Sequence, residues 1–437
     1  MDLSSRLRAI VRTTPRRELT YEPDTGRFES TIDLDRVADV LGGRPLATGF
    51  GRCLIIDRRY ESDRWHGDVK IGDCDLDDQG ALRLLDPSLS IEATGMTPAR
   101  TVFIDLETTG LSGGAGTVAF LVGCGYFDLG AFQVRQFLLT SYATERALLS
   151  ALTEFFGGTD LIVTYNGKTF DVPVMETRWS FHRLPMPDFS QDVPHFDMLH
   201  PARRLWSSRI TSDDGAAGCR LATLERDVLG FRRSGDVSGF EIPGRFFQFL
   251  RTGDPTPLEP VLEHNRLDLV SLAAVTGHAL RLARTGDGAC RDEAEALALG
   301  RVLERAQVFE RAEACYRRAA ASSCVDVKGE ALYRLGLRCR RDRRYDEAAA
   351  AWLEIIALTE PSSRRRRAAM GQLRQFAVEA LAIHREHRER DFASARELAL
   401  FALSNDGPPP AKGDGLGHRL ARLDRKIAKN RNAQLFS

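Results

Sequence analysis

From Thr101 onward, short apolar runs alternate with turn residues. TVFIDLETT reads as a buried strand of β-branched and apolar side chains closed by Gly110. Thr117–Phe127 and Phe132–Thr140 read as two further strands, close enough to form a meander. In Glu145–Phe156 the apolar residues Leu148, Leu152, Phe155 and Phe156 recur at helical spacing. Asp160–Asn166 is another buried strand, a helix is expected to start near Phe170, and His195–Leu199 is short and strand-like. Leu221–Gly230 predicts a helix ended by glycine, and Pro257–Arg284 a long helix opening on proline with no interior glycine before Gly277. Three meandering strands followed by helix, strand, helix, strand and helix predict an α/β mixed sheet flanked by helices.

After about residue 290 the strand pattern stops, and Ala, Leu, Arg and Glu recur at helical period. This tail repeats itself: Leu299-Gly300 and Leu335-Gly336 are 36 residues apart, as are Phe309 and Tyr345, Ala312 and Ala348, and Cys315-Tyr316 and Ala351-Trp352. A small–aromatic–small pattern at this period resembles tetratricopeptide helical hairpins, whose units bury their faces only by stacking. A looser third unit is expected in Phe392–Leu403, then a linker, Pro408–Gly415, and a short basic helix or tail, His418–Arg431. The expected organisation is an accessory N-terminal segment over 1–97, with one strand-like run at Cys53–Tyr60; an α/β domain over 98–285; all-α helical repeats over 290–405; and a linker and basic tail over 406–437.

Formal charge is zero over 437 residues, but it is unevenly placed. Residues 281–437 hold 31 basic against 22 acidic side chains, and residues 1–280 hold 30 against 39. An acidic front half joined to a basic back half suits a metal site beside a region that meets phosphate, although arginine-rich helices also simply solvate well. The eight cysteines include no C-x-x-C pair, which excludes zinc-finger spacing and suits reduced thiols of a cytoplasmic protein. The longest apolar run, near Val118–Cys124, is too short to span a bilayer, so no membrane role is expected.

Acidic side chains carry the candidate chemistry. Asp105 and Glu107 lie two apart on one strand, so both point to the same face near its end. Asp171 falls in the first turn of the helix after Asp160–Asn166, where the helix dipole favours an anion. His264 and Asp268, at i and i+4, share a helix face that also carries Val261 and Leu272. Each observation has a plain structural reading: a solvated strand end, an ordinary helix cap, a buried His–Asp hydrogen bond. Four converging carboxylates, however, repel one another unless cations sit between them, and hard oxygen donors select Mg²⁺ or Mn²⁺ over zinc. Ser112–Gly116 lacks the G-K-[ST] ending of a phosphate-binding P-loop, which excludes that mode of nucleoside triphosphate binding.

Asp105-x-Glu107, Asn166-x3-Phe170-Asp171 and His264-x3-Asp268, in that order over residues 98–285, resemble the three motifs of the DEDD exonucleases, whose fold is ribonuclease H-like. FIDLETTGLSGGAGTVAFLVG and HNRLDLVSLA, with a helical-repeat tail, are closer still to bacterial mitomycin repair factor B-like exonucleases of the YprB type. The resemblance implies 3′-end-directed hydrolysis of nucleic acid, DNA in preference to RNA, with two Mg²⁺ or Mn²⁺, a helicase partner and a DNA-repair setting. It also implies roles. Asp105 would bridge both ions, Glu107 and Asp268 would hold the ion that activates water, Asp171 would support the second, and His264 would orient or deprotonate the water. Imidazole as a residue type titrates near neutrality, which suits a base. Here histidine takes the spacing used by tyrosine in the tyrosine branch, one residue shorter than is usual in the histidine branch. Thr108, Leu111, Asn166 and Lys168 beside these motifs are candidate substrate contacts, against turn and core packing. Asp197 reads as an organiser of the helix that follows it. The rivals are an RNase or structure-specific endonuclease on the same fold, and a non-catalytic adaptor that recruits partners through its repeats.

Overall fold

The computed structural model describes residues 32–76, 79–89, 100–110, 116–185, 193–207, 219–358, 364–404 and 415–435. Seven strands form one mixed sheet. They are β1 (Arg44–Thr48), β2 (Gly51–Tyr60), β5 (Thr101–Thr108), β6 (Ala119–Asp128), β7 (Ala131–Leu138), β8 (Leu161–Thr164) and β9 (His195–Asp197), while β3 (Trp65–His66) and β4 (Val69–Lys70) pair separately. The order is β1-β2-β7-β6-β5-β8-β9. Ladders from β1 to β5 are antiparallel, and β5-β8-β9 are parallel. The meander and the two parallel strands match the order expected from the sequence. The sheet extends further than expected: β1 and β2 come from the segment assigned to an accessory role, and β2 pairs with β7 along Leu54–Tyr60. The apolar run at Cys53–Ile56 was legible as a strand, but its partner lies about eighty residues downstream, beyond local pattern.

Alternation along β5 sets the site. Val102, Ile104 and Leu106 enter one apolar core with α3 (Glu145–Phe156) and α4 (Asp171–His182). Phe103 enters the core on the opposite face, against the long helix α8 (Glu259–Thr285). Asp105 and Glu107 share Phe103's face, so they meet α8.

Among the described residues the region after 290 is all helical. Helices α9 (Glu293–Arg305), α10 (Phe309–Ala320), α11 (Val325–Arg341), α12 (Tyr345–Ala357), α13 (Arg364–His384), α14 (Phe392–Ser404) and α15 (Gly415–Leu435) each pack on the next. The repeat has a physical basis. A Cβ on Gly300 would lie 2.5 Å from the Tyr316 ring, and one on Gly336 would lie 2.4 Å from Trp352 Nε1. Glycine thus admits the aromatic ring of the following helix. Gln307 and Arg343, both at φ 62°, turn the chain two residues before Phe309 and Tyr345. Arg390, at φ 58°, does the same before Phe392, so the looser third unit shares this turn at a longer spacing. One core runs from Phe103 through α8 into Leu299, Tyr316 and Leu335. No described helix is long and apolar enough to cross a membrane. The expected linker at 408–415 lies outside the described residues, apart from Gly415.

Candidate active site

Three elements bring the sequence-selected acids together. Asp105 and Glu107 come from β5, Asp171 is the first residue of α4, and His264 and Asp268 lie on α8. The Asp171 carboxylate accepts a hydrogen bond from the backbone N–H of Leu106, between the two β5 acids. His264 Nε2 lies 3.9 Å from Glu107 Oε1 and 3.5 Å from Asp268 Oδ2.

The electrostatics are those of an anionic cluster short of positive charge. Burial, then the charges of Asp268, Glu107 and Asp171, hold the Asp105 carboxyl well above the usual carboxylate range, only partly offset by a hydrogen bond from Asn265. Glu107 is raised likewise, by burial and then by Asp268, Asp171 and Asp236, with Arg233 acting against the shift. Asp171 is pushed up to about 7, chiefly by burial, with Asp197 and Asp268 adding to it against its backbone hydrogen bonds. Among the described residues no lysine or arginine forms an ion pair with Asp105, Glu107 or Asp171. The one guanidinium in direct contact with the cluster, Arg233, is divided among other acids. Its Nη2 donates to Glu225 Oε1 at 2.5 Å and to Asp268 Oδ1, its Nε to Glu225 Oε2 at 2.8 Å, and its Nη1 to Asp236 Oδ2 at 3.0 Å. Burial alone would lower the guanidinium's pKa; bonding to Glu225 and the charge of Asp268 raise it instead.

Hard oxygens on four carboxylates, three of them raised by burial and then by neighbouring negative charge, are the donor set a divalent cation would satisfy. Among the described residues only one group of three or more histidine, cysteine or acidic side chains has its ligand atoms within 4.8 Å of one another, and the acids around Asp105 are spaced more widely. That group is Glu313, Cys339 and Glu347. The two glutamates there are already paired with Arg344 and Arg317, so that group is an ion-pair network.

Several residues not singled out in the sequence build the site. Asn265, fully buried, donates from Nδ2 to Asp105 Oδ2 at 2.7 Å and to Asp105 O at 3.1 Å. Its Oδ1 accepts from Gln136 Nε2 at 2.8 Å. Gly123, which pairs with Asp105 across the ladder, leaves room for this amide: a Cβ there would lie 2.2 Å from Asn265 Oδ1. Asp236 Oδ1 lies 2.8 Å from His264 Nδ1; a carboxylate only accepts, so Nδ1 carries the hydrogen and Nε2 faces the acids. Glycine inside a strand marks close backbone approach and was a usable signal for Asn265. Arg233 and Asp236 lie in a loop without periodicity and gave none.

Asp197, 1% exposed, accepts from the backbone of Asn166 at 2.8 Å, Lys168 at 3.2 Å and Leu199 at 3.1 Å. It organises the helix after it, as expected, and also the turn that delivers Asp171. Asn166 adopts φ 68°, and its side-chain oxygen accepts from Thr169 Oγ1 at 2.8 Å, a role in turn geometry. Two more of the candidate substrate contacts have other partners. Thr108 is buried and donates to Gly110 O at 2.9 Å, which corresponds to turn packing. Lys168 Nζ lies 3.9 Å from Asp86 Oδ2. Leu111 lies outside the described residues.

Residues 102–280, which span this site, match the family model of the RNase_H superfamily. Over 398 residues the chain is 31% identical to the uncharacterized protein YprB of Bacillus subtilis (strain 168), an alignment that covers 89% of this chain and 90% of that protein. Residues 102–280 form an RNase_H superfamily domain, and the chain belongs to one family with YprB.

Proposed function

We propose that the protein is a divalent-metal-dependent nuclease acting as a 3′-to-5′ exonuclease, with DNA as its preferred substrate and DNA repair as its setting. The observation that carries this reading is the meeting of Asp105, Glu107, Asp171 and Asp268 from β5, α4 and α8, with three of the carboxyls held above their ordinary pKa and, among the described residues, no lysine or arginine paired to those three. The four would hold two Mg²⁺ or Mn²⁺. Such ions, when bound, lower the pKa of water and stabilise the negative charge on a departing oxygen. Asn265 keeps the Asp105 carboxylate in one orientation, and Arg233 does the same for Asp268. His264, oriented through Nδ1 by Asp236, presents Nε2 to receive the proton of the attacking water. The water oxygen bonds to phosphorus as the bond to the 3′ oxygen breaks, giving a nucleoside 5′-monophosphate and a new 3′ hydroxyl. A helicase partner through the helical repeats belongs to the same reading.

The test is digestion of end-labelled DNA and RNA, with free and blocked 3′ ends, by the full chain in Mg²⁺, Mn²⁺ or chelator. Release of mononucleotides from free 3′ ends of DNA, abolished by chelator and by Asp105→Asn, is expected. Cleavage of RNA alone, internal cleavage of end-blocked strands, or cleavage indifferent to Asp105→Asn would each overturn the corresponding part of the reading.

A further inference from the structure

A cavity of about 370 Å³ opens in the helical region between α11, α12, the end of α13 and the turn after it. Arg340, Tyr345, Trp352, His384, His387 and Arg388 line it. Its volume is near the low end for small-molecule sites and accommodates one nucleotide but no duplex.

Among the described residues, none of those lining it is acidic. Arginines of this region such as Arg317, Arg334, Arg338, Arg344 and Arg385 each pair with a carboxylate. Among the described residues Arg340 and Arg388 have no carboxylate within ion-pair distance, and both are exposed at the pocket. The nearby acids are largely compensated. Glu389 pairs with Arg385, and Glu386 with Arg419, Arg422 and Lys426. His384 Nε2 lies 3.1 Å from Glu389 Oε1 and 3.8 Å from the fully exposed Asp346. The Arg388 guanidinium carbon sits 3.7 Å from the centroid of the Tyr345 ring. Stacking there orders the guanidinium and leaves its opposite face and N–H edge turned away from the ring. That edge suits a phosphate and that face a nucleobase. The excess of 31 basic over 22 acidic residues across 281–437 points the same way.

We propose that this pocket binds a single nucleotide unit, with Arg340 and Arg388 on the phosphate and the base lying on the Arg388–Tyr345 stack. The choice of a nucleotide over other anions rests on the nuclease reading above. The nucleotide's source is either a released mononucleotide or one residue of a single strand.

Calorimetric titration of the full chain in chelator, with dAMP, a short single-stranded oligonucleotide, inorganic phosphate and an acidic peptide as separate probes, tests this. Chelator removes cation bridging at the acid cluster. Saturable binding of dAMP or of the oligonucleotide is expected, the two probes telling the sources apart. It should weaken about tenfold or more in Arg340→Gln and in Arg388→Gln, the cost of one charge-assisted contact. Both side chains are exposed, so unchanged thermal melts are expected to accompany the loss; if one variant fails to fold, the other carries the test. Nucleotide binding unaltered in both variants overturns the proposal, as does phosphate binding as tightly as dAMP, or the peptide binding where nucleotides do not. Asp105→Asn separates the two readings, because it should abolish cleavage and leave this binding intact. If Asp105→Asn still cleaves, the acid-cluster assignment falls while the pocket is judged on its own titration.

Discussion

Replacing Asp171 by asparagine should stabilise the cation-free protein at pH 8. The Asp171 carboxyl, 7% exposed, is lifted from 3.8 to about 7 in the folded chain. The folded state therefore holds this proton more tightly than the unfolded state does. Below about pH 4 both states are protonated and the group costs nothing; as pH rises from there through 7 its contribution to stability is lost. A lift of this size corresponds to about 4 kcal/mol of destabilisation once pH exceeds 7. Asparagine keeps a carbonyl oxygen to accept from Leu106 and carries no charge, so it escapes that penalty. Urea denaturation of wild type and Asp171→Asn, in chelator at pH 5 and pH 8, reads the effect as a difference of differences. An advantage for the variant of about 1.5 kcal/mol at pH 5, rising to about 4 kcal/mol at pH 8, is expected, with loss of that advantage when Mn²⁺ is added, because the wild type gains more from the cation. A variant no more stable than wild type at pH 8 in chelator would refute the premise that burial and neighbouring negative charge raise this carboxyl's pKa.

Other consequences follow from the residues that hold the acids in place. Arg233→Ala leaves Glu225, 2% exposed, without its guanidinium and should cost about 3–5 kcal/mol in a thermal or urea melt, with Arg233→Lys a poor substitute because it loses the two-pronged contact. Gly123→Ala drives a methyl into the Asn265 amide; about 1–3 kcal/mol of lost stability and weaker Mn²⁺ binding should appear together by melting and calorimetry. In the helical region Gly336→Ala forces Trp352 away from α11, and a loss of about 1–3 kcal/mol is expected in the melt with Mn²⁺ binding unchanged.

What could be read from the chain follows from where its information is local. Period two placed Asp105 and Glu107 on one face, and a helix start after a strand placed Asp171, because both depend on a few consecutive residues. The 36-residue repeat was legible for a similar reason: Gly300 and Tyr316 recur as Gly336 and Trp352, and the contact between them is what the repeat encodes. The parts not read depend on distant pairings. β2 finds β7 across the sheet, Asn265 reaches Asp105 from 160 residues away, and Arg233 joins Glu225 to Asp268 from a loop without periodicity. Beside the first motif Thr108 allowed two readings, substrate contact and turn packing, and its hydroxyl donates to Gly110 O two residues on.

Whether the acids around Asp105 hold a cation is read by calorimetric titration of Mn²⁺ into the full chain at pH 8. Saturable binding that disappears in Asp105→Asn, with the folded melt retained, is the predicted result. No saturable binding to the wild type, or binding that survives loss of the Asp105 charge, would contradict the account.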